Sequence, residues 1–276
     1  MTTASPELAR REGSSVLASV AELVSRRDLL YMITWREIRI KYKQSVMGML
    51  WAVLMPAVIV LAGVAVRFGF SRVTGAPLAA RDVAAVAVKA VPWAFFVSTL
   101  RFATSSLIAN TNLVTKIYLP REIFPVAATL SQLVDFSIAS LVLAVLLAVL
   151  RVGVSPALLW LPLLILILVV LAMGLGILLS AASLFFRDVK YLVEVILTFA
   201  IFFTPVFYDA GMFGPWERIL MLNPVAPLLE GIATVIVRHA APPLAWVGYS
   251  GAVAVVTCVG ALSVFRHLAP YFAESI

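Results

Sequence analysis

Residues 35–56 read WREIRIKYKQSVMGMLWAVLMP. A run rich in Arg and Lys passes directly into a segment that carries no charge. This order is typical of a chain that first lies along the charged surface of a membrane and then enters the membrane. The stretch therefore predicts that the first membrane-spanning helix begins near residue 46.

The composition of the whole chain predicts the same class of protein. Hydrophobic residues make up 63% of the sequence and charged residues only 13%, which is far from the composition of a soluble domain. The apolar residues form long continuous runs, whereas outer-membrane barrels show short alternating segments. We therefore expect an all-α, polytopic membrane protein.

A membrane-spanning helix needs about 20 mostly apolar residues, and six passages meet this length approximately. The passage before the last span is rich in Pro and Gly but still apolar, which predicts re-entrant helices over residues 209–243. A cytoplasmic N-terminal segment, residues 1–45, would precede a transmembrane domain over residues 46–276. The six predicted spans are residues 46–70, 83–107, 123–150, 157–185, 191–208 and 244–265.

The positive charges predict the orientation of the chain. Eight Arg and Lys precede residue 46, so the N-terminus is expected in the cytoplasm, and an even number of spans places the C-terminus there as well. The first 28 residues show no signal-peptide core, so no cleavage is expected. The net charge of +7 is attributed to cytoplasmic loops and anionic lipids, and nucleic acid is not an expected partner. Charges that argue against this orientation are Arg67, Arg72, Arg81 and Lys89 around the first external connection, and Arg218 and Arg238 in the last.

The basic run predicts an amphipathic helix on the membrane surface. Its apolar residues recur at spacings of four and three, which on a helix places them in one stripe. Basic residues flank the stripe, so the stripe can face lipid while the cations reach headgroup phosphates. A simple anchor and a functional element are both open. The stripe is Tyr31, Trp35, Ile38 and Tyr42, and the cations are Arg36, Arg39 and Lys43.

Nothing in the sequence predicts catalysis by the chain itself. No nucleotide-binding GxxxxGK[ST] loop occurs, so any ATP-driven step must use a partner. His239 and His267 lie far apart, and Cys258 is the single cysteine, so no catalytic or metal-ligand set is recognisable. We expect no metal or other cofactor in this chain.

Two charged residues lie inside predicted spans, where charges are costly and often functional. Asp135 and Arg101 could pair across neighbouring helices, although their estimated depths differ by about 10 Å. A buried polar contact without a role in transport is the alternative.

Aromatic residues crowd the fifth predicted span and the segment after it. Such residues can stack on sugar rings, but in a membrane helix they also serve as packing or lipid-facing groups. The small residues Ala172, Gly176 and Ser180 predict a close helix contact, within the chain or between subunits. The aromatic residues are Phe199, Phe202, Phe203, Phe207, Tyr208 and Trp216.

Four segments together resemble the permease subunits of ABC-2 type polysaccharide exporters, a family that includes O-antigen, capsule and teichoic acid transporters. They are residues 35–56, NLVTKIYLPREIFPV (112–126), FFRDVKYLVEVILTFAIFFTPVFY (185–208) and LNPVAPLLEG (222–231), and the closing FRHLAPYFAESI is also similar. The resemblance covers the length of the chain in the family's order. One departure concerns the segment after Glu230, where many relatives have an aromatic-Arg pair and this chain has GIATVIV.

The resemblance implies three groups of functional residues. The helix near the first span would admit substrate, the fifth span would line a channel, and the connection after the second span would dock on an ATPase. The entrance residues are Trp35, Arg36, Arg39, Tyr42 and Lys43. The channel residues are Trp51, Phe199, Phe203, Phe207 and Tyr208. The coupling residues are Thr115, Lys116, Ile117, Tyr118, Pro120 and Arg121.

The resemblance also implies a function and its partners. Two copies of the chain and two P-loop ABC ATPase subunits would export a polyprenyl-linked glycan across the bacterial cytoplasmic (inner) membrane. The ATPase subunits would bind ATP and Mg. Two alternatives are open: an ABC-2 exporter of a drug or small lipid, and a membrane-embedded glycan-modifying enzyme, which the lack of an acid and base pair disfavours.

Overall fold

The computed structural model describes residues 16–43, 48, 50–75, 79–116 and 119–273. Within these residues the chain is helical and contains no strand, as the composition predicts. The first half comprises α1 (Val16–Ser25), α2 (Arg27–Lys43), α3 (Leu50–Thr74), α4 (Ala80–Ala109), α5 (Thr111–Lys116) and α6 (Ile123–Val149). The second half comprises α7 (Leu161–Phe185), α8 (Val189–Phe203), α9 (Glu217–Met221), α10 (Ala226–Val237) and α11 (Leu244–Leu268). Short 3₁₀ helices lie at Pro156–Trp160, Ala210–Trp216 and Ala269–Ala273.

Five helices of the described part are long and apolar enough to cross a membrane, namely α3, α4, α6, α7 and α11, where α7 and α11 are counted with their adjoining 3₁₀ helices. The predicted fifth span folds as α8, whose 15 residues extend about 22 Å. This is less than the hydrocarbon thickness of about 30 Å. The helix ends because Thr204 precedes a proline and adopts an extended conformation. Six crossings stay a prediction.

Helix α4 is the central element of the bundle. It packs against α3, α6, α7, α8 and α10, so its residues are buried on most sides. Pro92 lies inside this helix, and a proline is tolerated there because neighbouring helices shield the freed backbone group. The other helices are arranged around α4, and α11 is added on the far side of α7.

Small residues allow α7 to approach its two neighbours closely. Ala172, Gly176 and Ser180 are all buried, and Gly176 faces Ala103 of α4. The predicted small-residue contact is therefore a contact within the chain. Gly174 lies on another side of α7 and faces the backbone of Cys258 in α11.

The two ends of the bundle carry different connections. At the end that we call the terminal pole, Arg36 donates a hydrogen bond to the Asn110 side chain, and Arg121 donates to the Ala269 carbonyl. At the opposite end, which we call the loop pole, Arg81 donates to the Val237 carbonyl at 3.0 Å. The short helices α9 and α10, predicted as re-entrant, also lie at the loop pole, and most residues of α10 are buried. Their depth in a membrane stays a prediction.

Gly174→Ala should lower the melting temperature of the purified protein in detergent. The added methyl group would lie 2.8 Å from the Cα and N atoms of Cys258, and backbone atoms cannot move aside as a side chain can. Overpacking of this kind costs about 1–3 kcal/mol. Gly248→Ala is the control, because no atom lies within 4 Å of its new methyl group. Equal melting temperatures of the two variants would contradict the close α7–α11 contact.

Candidate functional site

The predicted entrance cations gather at one surface. Arg36, Arg39 and Lys43, with Ile40, line a shallow depression of about 240 Å³ on α2, which we call the basic depression. Arg36 is held by Glu37 at 2.8 Å and by Asn110 at the end of α4, whereas Arg39 and Lys43 are exposed. The depression can therefore present positive charge to an anionic group.

The apolar stripe of α2 does not face one environment. Tyr31 and Trp35 are 68% and 52% exposed, so they are free to contact lipid. Ile33, which lies off the stripe, is buried in the core at the terminal pole. Tyr42 turns toward α6, where its hydroxyl donates a hydrogen bond to Asp135. The expectation of a single lipid-facing stripe is therefore wrong for Tyr42, because α2 packs along α6.

Asp135 is neutralised by α2 and not by Arg101. The Lys41 ammonium contacts Asp135 and donates a hydrogen bond to the Gln132 side chain at 3.2 Å. Burial, together with the hydrogen bond to Asp135, raises the pKa of Tyr42. Arg101 pairs instead with Glu194 of α8 at 2.9 Å. The pairing of Asp135 with Arg101, one of the two alternatives that the sequence left open, does not form, because the two residues face different neighbours of the bundle. Lys41 was not among the functional residues predicted from the sequence.

An apolar cavity of about 300 Å³ opens beside this polar contact. It lies among α3, α4 and α6, and the predicted channel residue Trp51 lines it and is partly exposed. Lys41, Gln132 and Asp135 form its polar end. The Lys41 ammonium also lies 4.8 Å from the ring centroid of Phe102.

The remaining channel residues divide into an open and a packed set. Phe199 and Phe203 of α8 are 58% and 71% exposed. Phe207 is buried and faces Gly63 of α3, so within this chain it serves as packing. Tyr208 is partly buried; its hydroxyl donates to the Phe202 carbonyl at 2.9 Å.

The coupling residues are described only in part. Pro120 is buried, and Arg121 lies over the ring of Phe272 at 5.6 Å from its centroid. Beside them, Glu122 pairs with Arg266 at 3.7 Å, and burial raises the pKa of its carboxyl despite this partner. Ile117 and Tyr118 lie outside the described residues, as do the side chains of Thr115 and Lys116.

The sequence did not predict a cluster of buried and partly buried charges at the loop pole. The Lys89 side chain has 0% exposure, and its ammonium lies 3.0 Å from Asp209 and 3.2 Å from Glu230 and donates to the Tyr208 carbonyl. Arg67 of α3 pairs with Asp209 at 2.9 Å. We call Arg67, Lys89, Asp209 and Glu230 the loop-pole charge cluster.

The cluster attaches the segment after α8 to three helices. Besides its ion pairs, Arg67 donates to the Phe207 carbonyl at 3.1 Å, and Glu230 accepts from the Ala210 amide at 3.0 Å. Burial alone would raise the pKa of Asp209, but Lys89 and Arg67 lower it to about 2. The carboxylate therefore stabilises the fold above its ordinary pKa near 4, and this stabilisation is lost as the pH falls toward 2.

The signal for this cluster was a lone lysine inside an apolar run. Lys89 and Arg67 were interpreted as loop charges that oppose the orientation, although a cation between long apolar stretches predicts a buried acidic partner.

Among the described residues, no group of three His, Cys, Asp or Glu side chains could hold a metal ion.

The fold and these sites define a multi-pass membrane protein that has polar side chains at both ends of an apolar helical bundle. The profile of the ABC-2 type transporter family matches residues 28–237, from the start of α2 to the end of α10. The chain belongs to this family.

Two curated relatives are similar to this chain. The O-antigen export system permease protein RfbA of Myxococcus xanthus is 28% identical over 93% of this chain and 98% of its own length. The protein of the same name from Klebsiella pneumoniae is 29% identical over 73% of this chain and 77% of its own length.

Lys89→Met should destabilise the fold strongly, because it leaves the buried Glu230 carboxylate without its cation and removes one of the two close cations of the partly buried Asp209. Breaking a buried ion pair in this way costs about 3–5 kcal/mol. The measurement is the melting temperature and the yield of monodisperse protein in detergent. Adding Glu230→Gln to Lys89→Met should recover part of the loss, since it removes one unpaired charge.

Arg72→Met is the matched control for this experiment. Arg72 is an exposed cation of α3 whose side chain lies over the Phe68 ring at 5.0 Å from the centroid. Its replacement should shift the melting temperature little. If the Lys89→Met and Arg72→Met variants had the same melting temperature, Lys89 would not be the buried counter-ion of the cluster.

Proposed function

We propose that this chain is the transmembrane permease of an ATP-driven exporter of a lipid-linked polysaccharide. The observation that carries the proposal is the similarity to the Myxococcus xanthus O-antigen permease over nearly the whole length of both chains. The geometry suits this substrate class. The basic depression can bind an anionic lipid head, and the open aromatic rings of α8 can stack on sugars.

The terminal pole is the cytoplasmic side in this proposal. It carries α1, α2 and α5 and the C-terminal 3₁₀ helix, so both termini would lie in the cytoplasm of a bacterium and the bundle in its inner membrane. The basic residues of α2 support this orientation. The external charges Arg67 and Lys89 no longer oppose it, because both are neutralised by acidic partners at the loop pole.

A separate ATPase supplies the energy for export. The chain has no phosphate-binding loop, so ATP and Mg would be bound by a P-loop ABC ATPase subunit. The segment from Asn112 to Glu122 is the proposed docking segment for that subunit. Arg121 and Glu122 connect this segment to the end of α11. A movement of the ATPase against the segment would therefore be transmitted to the helical bundle.

A second copy of the chain would complete the conduit. Helices α3 and α8 expose large apolar side chains, including Leu61, Phe68, Ile196 and Phe203. Buried side chains such as Trp93, Phe95 and Leu168 fill the core around α4, and the cavities of about 300 Å³ and 640 Å³ beside it have mostly apolar linings. The proposed path therefore runs along the surface of the bundle. Two copies that face each other through this surface would enclose the path.

Arg39→Lys should lower the export of glycan several-fold. Arginine offers a planar fork to phosphate oxygens, whereas lysine offers one point charge, so the variant keeps the charge and loses the geometry. The measurement is surface glycan in cells that lack the chromosomal gene and express each variant. Arg39 is preferred to Arg36, because Arg36 also holds the end of α4 through Asn110.

Arg27→Lys is the control, since Arg27 is also exposed but precedes the basic depression. It should export normally. Equal export by the two variants, with equal amounts in the membrane, would make the basic run a plain anchor. If cells without the gene keep their surface glycan, the substrate is not a glycan, and export of a drug or small lipid becomes the better proposal.

Thr115→Cys should form a cross-link to the ATPase in a Cys258→Ala background. The second change removes the single native thiol, so the product reports position 115 alone. Gly214→Cys at the loop pole is the control and should give no cross-link. Capture of the ATPase from Gly214→Cys alone would reverse the proposed topology.

A further inference from the structure

A cleft between α4 and α8 contains polar groups that the sites above do not use. Its volume is about 260 Å³. Its lining residues are Arg101, Thr104, Ser105, Lys190, Tyr191, Val193 and Glu194, and we call this place the α4–α8 cleft. It lies toward the terminal pole, because Arg101 is eight residues before the end of α4 and Glu194 is five residues after the start of α8.

The Arg101–Glu194 ion pair is the central feature of the cleft. The pair is 2.9 Å long, and its two side chains are 40% and 53% exposed within this chain. These positions lie about 12 Å and 8 Å inside the ends of their helices, where contact with lipid is costly for charges. An ion pair that is open at this depth fits a surface that faces water or a polar ligand.

The exposed surface of α8 has a polar strip beside an apolar one. Lys190, Glu194 and Thr198 follow at intervals of four residues, so they lie on one face of the helix. Val193 and Leu197 are buried and hold α8 against the bundle. The polar strip continues the opening of the α4–α8 cleft along α8 toward the exposed aromatic rings.

The chemistry of the cleft matches a sugar ring. Sugars are bound through directional hydrogen bonds to their hydroxyl groups and through stacking on an aromatic face. Arg101 and Glu194 provide a donor and an acceptor side by side, and both side chains are partly exposed. The Tyr191 ring lies one turn before Glu194 and is 62% exposed, with the Lys190 ammonium 4.7 Å from its centroid.

We propose that the α4–α8 cleft is a sugar-binding subsite at the cytoplasmic end of the conduit, in which Arg101 and Glu194 bind hydroxyl groups and Tyr191 stacks on the ring. This inference rests on the proposed function. Phe199 lies eight residues beyond Tyr191 on the same helix, about 12 Å along its axis. A glycan that leaves the cleft therefore meets the aromatic residues of α8 next.

The first test replaces the stacking ring. Tyr191→Leu keeps an exposed apolar side chain and removes the aromatic face, whereas Tyr191→Phe keeps the face and removes the hydroxyl. A sugar subsite predicts that Tyr191→Leu exports several-fold less surface glycan and that Tyr191→Phe exports nearly as much as the unaltered chain. A merely lipid-facing residue predicts normal export by both variants, and that result would overturn the subsite.

The second test detects the sugar without relying on export. The photo-cross-linker benzoylphenylalanine replaces Tyr191, or replaces Leu192 as the matched control, since Leu192 is 59% exposed on another face of α8. After irradiation of cells, the purified full-length chain is examined for attached carbohydrate by its sensitivity to periodate. Carbohydrate attached from position 191 and not from 192 is the expected result.

The outcomes separate this inference from the proposed function. Normal glycan export without carbohydrate attached from position 191 overturns the subsite and leaves the exporter in place. If equal amounts of carbohydrate are attached from positions 191 and 192, binding is not specific to the α4–α8 cleft, and the subsite is overturned. If the unaltered chain does not restore surface glycan to cells that lack it, the proposed function fails, and the subsite fails with it.

Discussion

The Lys89 side chain has no access to water, so its positive charge must be neutralised by acidic groups close to it at the loop pole. Its ammonium has three oxygen partners, which come from the segment after α8 and from α10. That segment contains Pro and Gly and cannot form a regular helix across the membrane, so its polar backbone needs fixed partners. The same charges that would be costly alone thus hold the irregular part of the chain on the helical bundle.

Helix α4 carries this constraint from one pole to the other. Lys89 binds the loop pole, Arg101 binds α8, and Asn110 just beyond the helix binds α2. The packing of α4 against α7 uses small residues, so the two helices approach closely and neither can shift far along the other. A rigid central helix with polar contacts at three heights lets α2 and α8 be positioned separately around it. These are the two helices that carry the proposed entrance and conduit residues.

The sequence predicted the features that depend on composition and local pattern. Continuous apolar runs predicted the helical membrane class, and the small residues of α7 predicted a close helix contact. The errors concern pairings between helices. Asp135 and Arg101 were considered together because both are charges inside spans, but Asp135 faces Lys41 and Arg101 faces Glu194. Ile33 lies off the predicted stripe of α2, and it is nevertheless buried in the core at the terminal pole. Periodicity gives the faces of a helix, but it does not say which face meets a neighbour.

The distribution of polar groups bears on where the conduit of the proposed exporter would run. The interior around α4 is filled by side chains such as Trp93, Phe95 and Leu168, and Phe207 adds to this packing. The polar groups with open surfaces lie outside that core, on α2, on the exposed face of α4 and along α8. A hydrophilic chain can follow these groups only on the outer surface of the bundle, and lipid cannot cover such a path without desolvating its charges. In the proposed exporter, a second protein surface opposite α8 would cover Arg101, Glu194 and Tyr191, and another copy of the same chain would provide it by symmetry.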